Sequence, residues 1–203
     1  MQRALLFAGI GYLSGSILFA KLFGKLFTKK DITCESPDHN PGTFNAFRYG
    51  GILCGILTLF CDIMKGFLPV FCYSGKDCET AGLGLAFVLA APAFGHILPV
   101  FYGFNGGKGI AVSFGSLLGL LPEYRPVLIL ACLFIFFSLV MKITPNDQRT
   151  LVTYLISVLG MLLFVPNISI VIGFGLMAGL IVAKLLLSAE EKEKCKVEFA
   201  WKH

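Results

Sequence analysis

Two stretches of this chain gather groups suited to holding phosphate. The first is "HNPGTFNAFRYGG", residues 39 to 51, which sets Asn40, Gly42, Thr43, Asn45 and Arg48 close together. Glycine permits close backbone approach, amides both donate and accept, and guanidinium grips phosphate with two parallel hydrogen bonds. The second is "GHILPVFYGFNGGKGIAVSFG", residues 95 to 115, with Gly106, Gly107, Lys108 and Gly109 at a turn that leads into an apolar segment. Successive glycine N–H groups can form an anion-binding nest, the following helix adds its positive end, and Lys108 adds a full charge. This is not a nucleotide-hydrolysing loop: GxxxxGK[ST] is absent and no strand precedes it.

Each stretch also has a plainer reading. The first can be a helix start, with Asn40 or Thr43 as N-cap, Pro41 in the first turn and Arg48 as an interface anchor. The second can be a membrane turn with a snorkelling lysine. His96 is a candidate general base or a group that holds the neighbouring loop. Asp62 and Lys65, three residues apart on one predicted helix, either brace the first loop as an ion pair or meet substrate directly.

The elements that carry these stretches are membrane spans. Of 203 residues, 56% are hydrophobic and 14% charged, and the mean hydropathy is +0.80. That composition belongs to an integral membrane protein. The opening run "LLFAGIGYLSGSILFAKLF" reaches Lys21 without a charge and is read as a mature helix rather than a signal peptide. Further spans are expected near residues 51 to 72, 81 to 102, 110 to 121, 126 to 142, 151 to 165 and 168 to 187, seven in all. Those at 110 to 121 and 151 to 165 are short enough to read as half-helices. The expected fold is therefore a single all-α membrane-embedded domain over residues 1 to 203.

Basic residues set the orientation. With the N-terminus outside, the inner side receives Lys21, Lys25, Lys29, Lys30, Arg48, Lys108, Lys142, Arg149 and the basic residues of the C-terminus, while Arg3, Lys76 and Arg125 stay outside. The positive-inside bias thus predicts a cytoplasmic C-terminus and cytoplasmic glycine-rich linkers. The net charge of +5 is mainly this topology signal plus attraction to anionic lipid headgroups, and no basic groove for nucleic acid is expected.

The seven cysteines carry little chemistry. Cys54, Cys61 and Cys132 read as small apolar residues, Cys34 and Cys195 as reduced thiols, and Cys72 with Cys78 as a possible pair across an outer loop. There is no CxxC, the three histidines are far apart, and neither a metal site nor a cofactor is expected.

Taken together, these motifs resemble the bacterial acyl-phosphate:glycerol-3-phosphate acyltransferases, the PlsY family. The similarity spans "GYLSGSILFAK", the first loop against GSGNPGATNxxRxxG, "DIMKG", and the second loop against GHxFPxFxxFxGGKGVAxxxG. It implies a seven-helix enzyme of a bacterial inner membrane, with its active site on the cytoplasmic side. The implied reaction moves a fatty acyl group from acyl phosphate to the 1-hydroxyl of glycerol 3-phosphate, giving lysophosphatidic acid and phosphate. Acyl phosphate, glycerol 3-phosphate and membrane lipid are the expected partners, with no obligate protein partner. The resemblance nominates Asn40, Asn45, Arg48, Lys108 and His96 as catalytic, and Gly42, Thr43, Gly106, Gly107, Gly109, Lys184 and Glu190 as substrate-binding. The absence of HxxxxD disfavours the other large class of glycerolipid acyltransferases.

The chain departs from that pattern at defined places. Asp38 and His39 stand where the family has Ser and Gly, and Thr43 and Phe44 where it has Ala and Thr. Against the family's third motif, HxxNIxRLLxGxE, Lys184 and Glu190 match, but Ala178 and Ile181 occupy the His and Asn positions. Beyond Glu190 the sequence reads as a solvated tail. Two alternatives stay open on these grounds: a non-catalytic relative that binds phosphorylated lipid precursors, and a small anion or phosphate-ester transporter built on half-helix termini.

Overall fold

In a computed structural model, residues 1–75, 82–187 and 195–199 are described. The chain runs through α1 (Gln2–Gly15), α2 (Phe19–Thr28), the single turn α3 (Ile32–Glu35), α4 (Thr43–Gly50), α5 (Ile52–Ser74) and α6 (Leu83–Ile97). It continues with α7 (Ile110–Leu118), α8 (Arg125–Ile135), α9 (Asn146–Phe164) and α10 (Ile168–Leu187). Two short strands, β1 (Met141–Thr144) and β2 (Lys196–Phe199), pair antiparallel with Met141 opposite Phe199.

Among the described residues, four segments are long and apolar enough to cross a bilayer: Gln2–Thr28, Ile52–Ser74, Leu83–Tyr102 and Ile168–Leu187. The first is broken, because the helix stops at Gly15 and restarts at Phe19. α7, with 9 residues, is short as expected. The predicted span 126 to 142 instead ends in a π-helical turn, Phe136–Val140, and passes straight into β1. The predicted half-helix 151 to 165 starts earlier, because α9 takes in Asn146, Asp147, Gln148 and Arg149 as a polar first turn. Two expectations are corrected here. The fold is not wholly helical, and residues 196–199 of the expected solvated tail, though exposed, form a strand paired with β1.

The outward faces are apolar. Leu5, Leu6, Ile10, Leu53, Ile56, Phe60, Leu159 and Leu163 are all exposed, a surface that suits lipid and not water. The interior carries Thr58, Asp62, Lys65, His96, Ser113, Tyr154 and Ser157. Lipid provides no hydrophobic drive between helices, so close packing through small residues must hold them together. Reciprocal glycine contacts do this for two pairs. On α1 and α6, a Cβ at Gly15 would fall on the Pro92 carbonyl and one at Gly95 on the Tyr12 carbonyl. On α5 and α7, Gly66 lies against the Val112 carbonyl and Gly115 against the Ile63 carbonyl. The second contact sets the start of α7, and with it Lys108, beside the polar face of α5. Tyr154 and Phe174 stack in the core with centroids 5.9 Å apart, which joins α9 to α10.

Candidate active site

The first loop is held from within. Asn45 is buried in the first turns of α4, where its amide donates to Asp38 Oδ1 at 2.6 Å and to the Asn40 carbonyl at 2.9 Å. The residue before α4 is Gly42, and neither Asn40 nor Thr43 caps the helix, contrary to the capped-start reading. Asn40 Oδ1 and Thr43 Oγ1 are instead buried without a hydrogen-bond partner. Arg48 is exposed on the same helix, its guanidinium 5.8 Å from the Tyr49 ring centroid.

The second loop is tied to the end of α6. Gly106 N–H donates to the Ile97 carbonyl at 3.2 Å and Gly107 N–H to the His96 carbonyl at 3.0 Å. Those two amides therefore hold the turn rather than face an anion, which narrows the expected nest to the residues from Lys108 onward. Gly109, at φ +78°, adopts a left-handed conformation open to glycine and directs the chain into α7. A Cβ at Gly107 would meet His96 Nε2 and, at 3.1 Å, Asn40 Oδ1, so the two loops and the His96 ring converge there.

Lys108 is where they join. Its ammonium lies 3.2 Å from Asp38 Oδ2 and 2.6 Å from Asp147 Oδ1. Burial by itself would raise the Asp38 carboxyl, but the Asn45 amide, the Lys108 charge and the Asn40 N–H together hold it below the usual carboxylate range. Asp147 belongs to the polar first turn of α9, as does Arg149, which donates to Asn146 Oδ1 at 2.6 Å.

These groups surround one cavity of about 800 Å³. Asn40, Gly42, Thr43, Asn45, Arg48, His96, Lys108 and Gly109 all line it, together with Asp38, Asp62, Asp147 and Arg149. Phe114, Phe134, Leu151 and Leu185 give it an apolar side. A smaller cavity of about 590 Å³ shares Asp38, Asn40 and Lys108 and adds Gly106 and Lys184. Every nominated residue among those described thus borders one of the cavities except Gly107, which packs on His96. Glu190 lies outside the described residues, as does Cys78, on which the proposed cysteine pairing depends.

Sequence reasoning passed over Asp147 and Arg149, the latter being read as a topology signal alone. The available signal was "NDQR" directly before an apolar run, the composition of a polar helix start rather than of a plain linker. Asp62 and Lys65 do form a buried ion pair, at 2.8 Å, and Asp62 borders the cavity. The Ala178 and Ile181 positions are buried in the apolar core and bring no polar group to either cavity.

An apolar wall beside a cationic and hydrogen-bonding floor suits a substrate with a hydrocarbon chain and a phosphate. Among the described residues, Arg48 and Arg149 face this cavity without a carboxylate ion pair.

The chain is similar to known proteins of one family. The family model described as glycerol-3-phosphate acyltransferase matches residues 5–192. A glycerol-3-phosphate acyltransferase of Staphylococcus saprophyticus is 34% identical over 179 residues, 85% of this chain and 86% of that protein. One from Pseudoalteromonas translucida is 43% identical over 109 residues, so that match spans about half of each chain, 54% of this one and 52% of the relative. The crystal structure of PlsY (YgiH), an integral membrane glycerol 3-phosphate acyltransferase, in its glycerol 3-phosphate form superposes with a TM-score of 0.76. Its sequence identity is 26%, and the match covers 89% of this chain and 87% of that one.

Proposed function

The chain belongs to the glycerol-3-phosphate acyltransferase family, and from that premise we propose that it transfers a fatty acyl group from acyl phosphate to the 1-hydroxyl of glycerol 3-phosphate. The observation that carries the proposal is the convergence of both phosphate-suited loops, with Arg48, Lys108 and the unanticipated Arg149, on one cavity with an apolar side.

The chemistry needs little from the protein beyond position and charge. Acyl phosphate is a mixed anhydride and already activated, so no acyl-enzyme is required. The glycerol hydroxyl oxygen bonds to the acyl carbon, the bond from that carbon to the phosphate oxygen breaks, and phosphate departs with the electron pair. A phosphate oxygen of a substrate takes the hydroxyl proton. Arg48 and Arg149 neutralise phosphate, Lys108 supports the leaving group or the developing oxyanion, and Asn40 with Thr43 orients the acceptor through their unpartnered oxygens. Asn45 acts through Asp38 and the Asn40 backbone, holding the first loop in place. The acyl chain lies along Phe114, Phe134 and Leu185.

The topology belongs to the same proposal. α7, α8 and α9 complete seven membrane segments, with the N-terminus outside and the active site on the cytoplasmic side of a bacterial inner membrane. Support comes from the clustering of charges: Arg3 reaches the Cys72 carbonyl and Arg125 the Phe164 carbonyl, at helix ends bearing no site residue, whereas Arg48, Lys108, Arg149 and Lys184 gather at the cavities.

A second reading has its own observation. Two carboxylates, Asp38 and Asp147, already occupy Lys108, which favours a protein that binds a phosphorylated lipid precursor without turnover. Phosphate release from palmitoyl phosphate by the detergent-solubilised protein separates the two. Release that requires glycerol 3-phosphate and collapses in Arg48→Ala and Lys108→Ala establishes the transferase. Glycerol 3-phosphate binding with no release establishes the binder.

A further inference from the structure

Lys65 and His96 come from different helices, and nothing in the reaction described so far uses their contact. Lys65 is 5% exposed, Asp62 1% and His96 2%. The Lys65 ammonium has three neighbours: Asp62 Oδ1 at 2.8 Å, the Ile17 carbonyl at 2.6 Å and His96 Nδ1 at 2.9 Å. The Phe19 ring centroid lies 5.5 Å away and adds an attraction for a cation. An ammonium has no lone pair, so its hydrogen bonds to the Ile17 carbonyl and to His96 Nδ1 both require the partner to accept, while Asp62 contributes its opposite charge.

That requirement decides the imidazole. Nδ1 must present its lone pair to Lys65, so the ring proton sits on Nε2. A doubly protonated ring would set an N–H against the ammonium. The Nε2 edge lies against Gly107, on the side where Asn40 Oδ1 also approaches, and His96 borders the large cavity. The His96 carbonyl meanwhile accepts from Gly107 N–H, so the same residue anchors the turn that presents Lys108.

We infer that Lys65 locks His96 as a hydrogen-bond donor toward the cavity, where its Nε2–H steadies negative charge on a substrate oxygen and cannot serve as a general base. Lys65 is the positioning residue, and Asp62 balances the Lys65 charge. The substrate oxygen rests on the acyl-transfer reading; the tautomer does not. The charged groups that face the ring are Lys65 and Asp62 of α5 and Lys184 of α10, with Lys108 across the cavities.

The test is the nitrogen-15 spectrum of histidine-labelled full-length protein in detergent micelles, with His96 assigned by its loss in His96→Gln. The expected spectrum shows bare Nδ1 and protonated Nε2, unchanged between about pH 5 and about pH 8, the range in which a free imidazole titrates. A proton on Nδ1, or a titrating ring, overturns the inference. The double variant Asp62→Asn/Lys65→Met removes both charges together and leaves no buried ion unpaired. In it His96 should show mixed tautomers, and an unchanged spectrum overturns the role of Lys65.

A kinetic arm tests the donor. His96→Leu should lower phosphate release about 10²-fold, the effect of deleting one oxyanion donor, while His96→Gln, which keeps an N–H, should stay within about tenfold of wild type. Equal losses in both variants refute donation. If the wild type releases no phosphate, the transfer reading fails, and the spectrum still decides the tautomer.

Discussion

Replacing Gly106 by alanine tests whether the second loop must be drawn this tightly to α6. The added Cβ would fall on the His96 carbonyl oxygen and lie 2.6 Å from Pro99 Cδ and 2.8 Å from the Ile97 carbonyl oxygen. Comfortable separations between carbon and its non-bonded neighbours begin at about 3.5 Å, so relieving the clash with the His96 carbonyl requires a shift of roughly 1.5 Å. That displacement breaks the Gly106 to Ile97 and Gly107 to His96 hydrogen bonds, worth about 0.5–1.5 kcal/mol each. Overpacking adds about 1–3 kcal/mol, for a total loss of about 2–6 kcal/mol. Lys108 is two residues further along, and misplacement on this scale costs about 10²-fold in rate. Thermal unfolding in detergent and glycerol 3-phosphate-dependent phosphate release would both be measured, with Gly9→Ala as the control. Gly9 lies in α1, and a Cβ there would have nothing within 4 Å. Gly106→Ala protein as stable and as active as Gly9→Ala protein would refute the tethered-loop geometry.

Three further outcomes follow from the same site. Lys108→Met leaves Asp38 and Asp147 without their shared cation and should lower phosphate release by about 10²-fold or more; a change below about threefold would remove Lys108 from the chemistry. Asp147→Asn should alter stability by less than about 1 kcal/mol, because the pair is partly exposed. It should nevertheless lower KM for palmitoyl phosphate by freeing the lysine charge for the leaving phosphate, and a raised KM would mean that Asp147 positions Lys108 rather than competing with phosphate. The third outcome concerns acid. The Asp38 carboxyl is held below the ordinary range, because its bonds to Asn45 and Lys108 outweigh its burial. Its contribution to stability is therefore present above the ordinary carboxylate pKa of about 4 and disappears as pH falls through the lower folded value. Melting temperature measured against pH should fall on that acid limb, and Asp38→Asn should flatten it.

The sequence by itself determined the membrane character, the place of the long apolar segments Gln2–Thr28, Ile52–Ser74, Leu83–Tyr102 and Ile168–Leu187, and the two loops that meet at the cavity. Hydropathy and loop chemistry are properties of contiguous segments: α10 is apolar apart from Ser169 and Lys184, and the glycines of "GGKG" interrupt a helical pattern. The motifs also specified which residues to watch, and Asn40, Arg48, His96 and Lys108 do line one cavity.

Only the tertiary structure decided what those residues do to one another. His96 meets Lys65 across 31 residues of chain, and Lys108 meets Asp147 across 39. Nothing local in either segment encodes such a meeting; it depends on which helix faces come together, and close glycine contacts such as Gly66 on Val112 settle that. The same reason explains the misread amides. Gly106 and Gly107 look free to bind an anion when taken as a loop, but the end of α6 offers its unpaired carbonyls at hydrogen-bonding distance. It also explains the strand pair, since Met141–Thr144 and Lys196–Phe199 become strands only by meeting each other. Composition selects the solvent each segment prefers, and packing selects the partner of each polar atom.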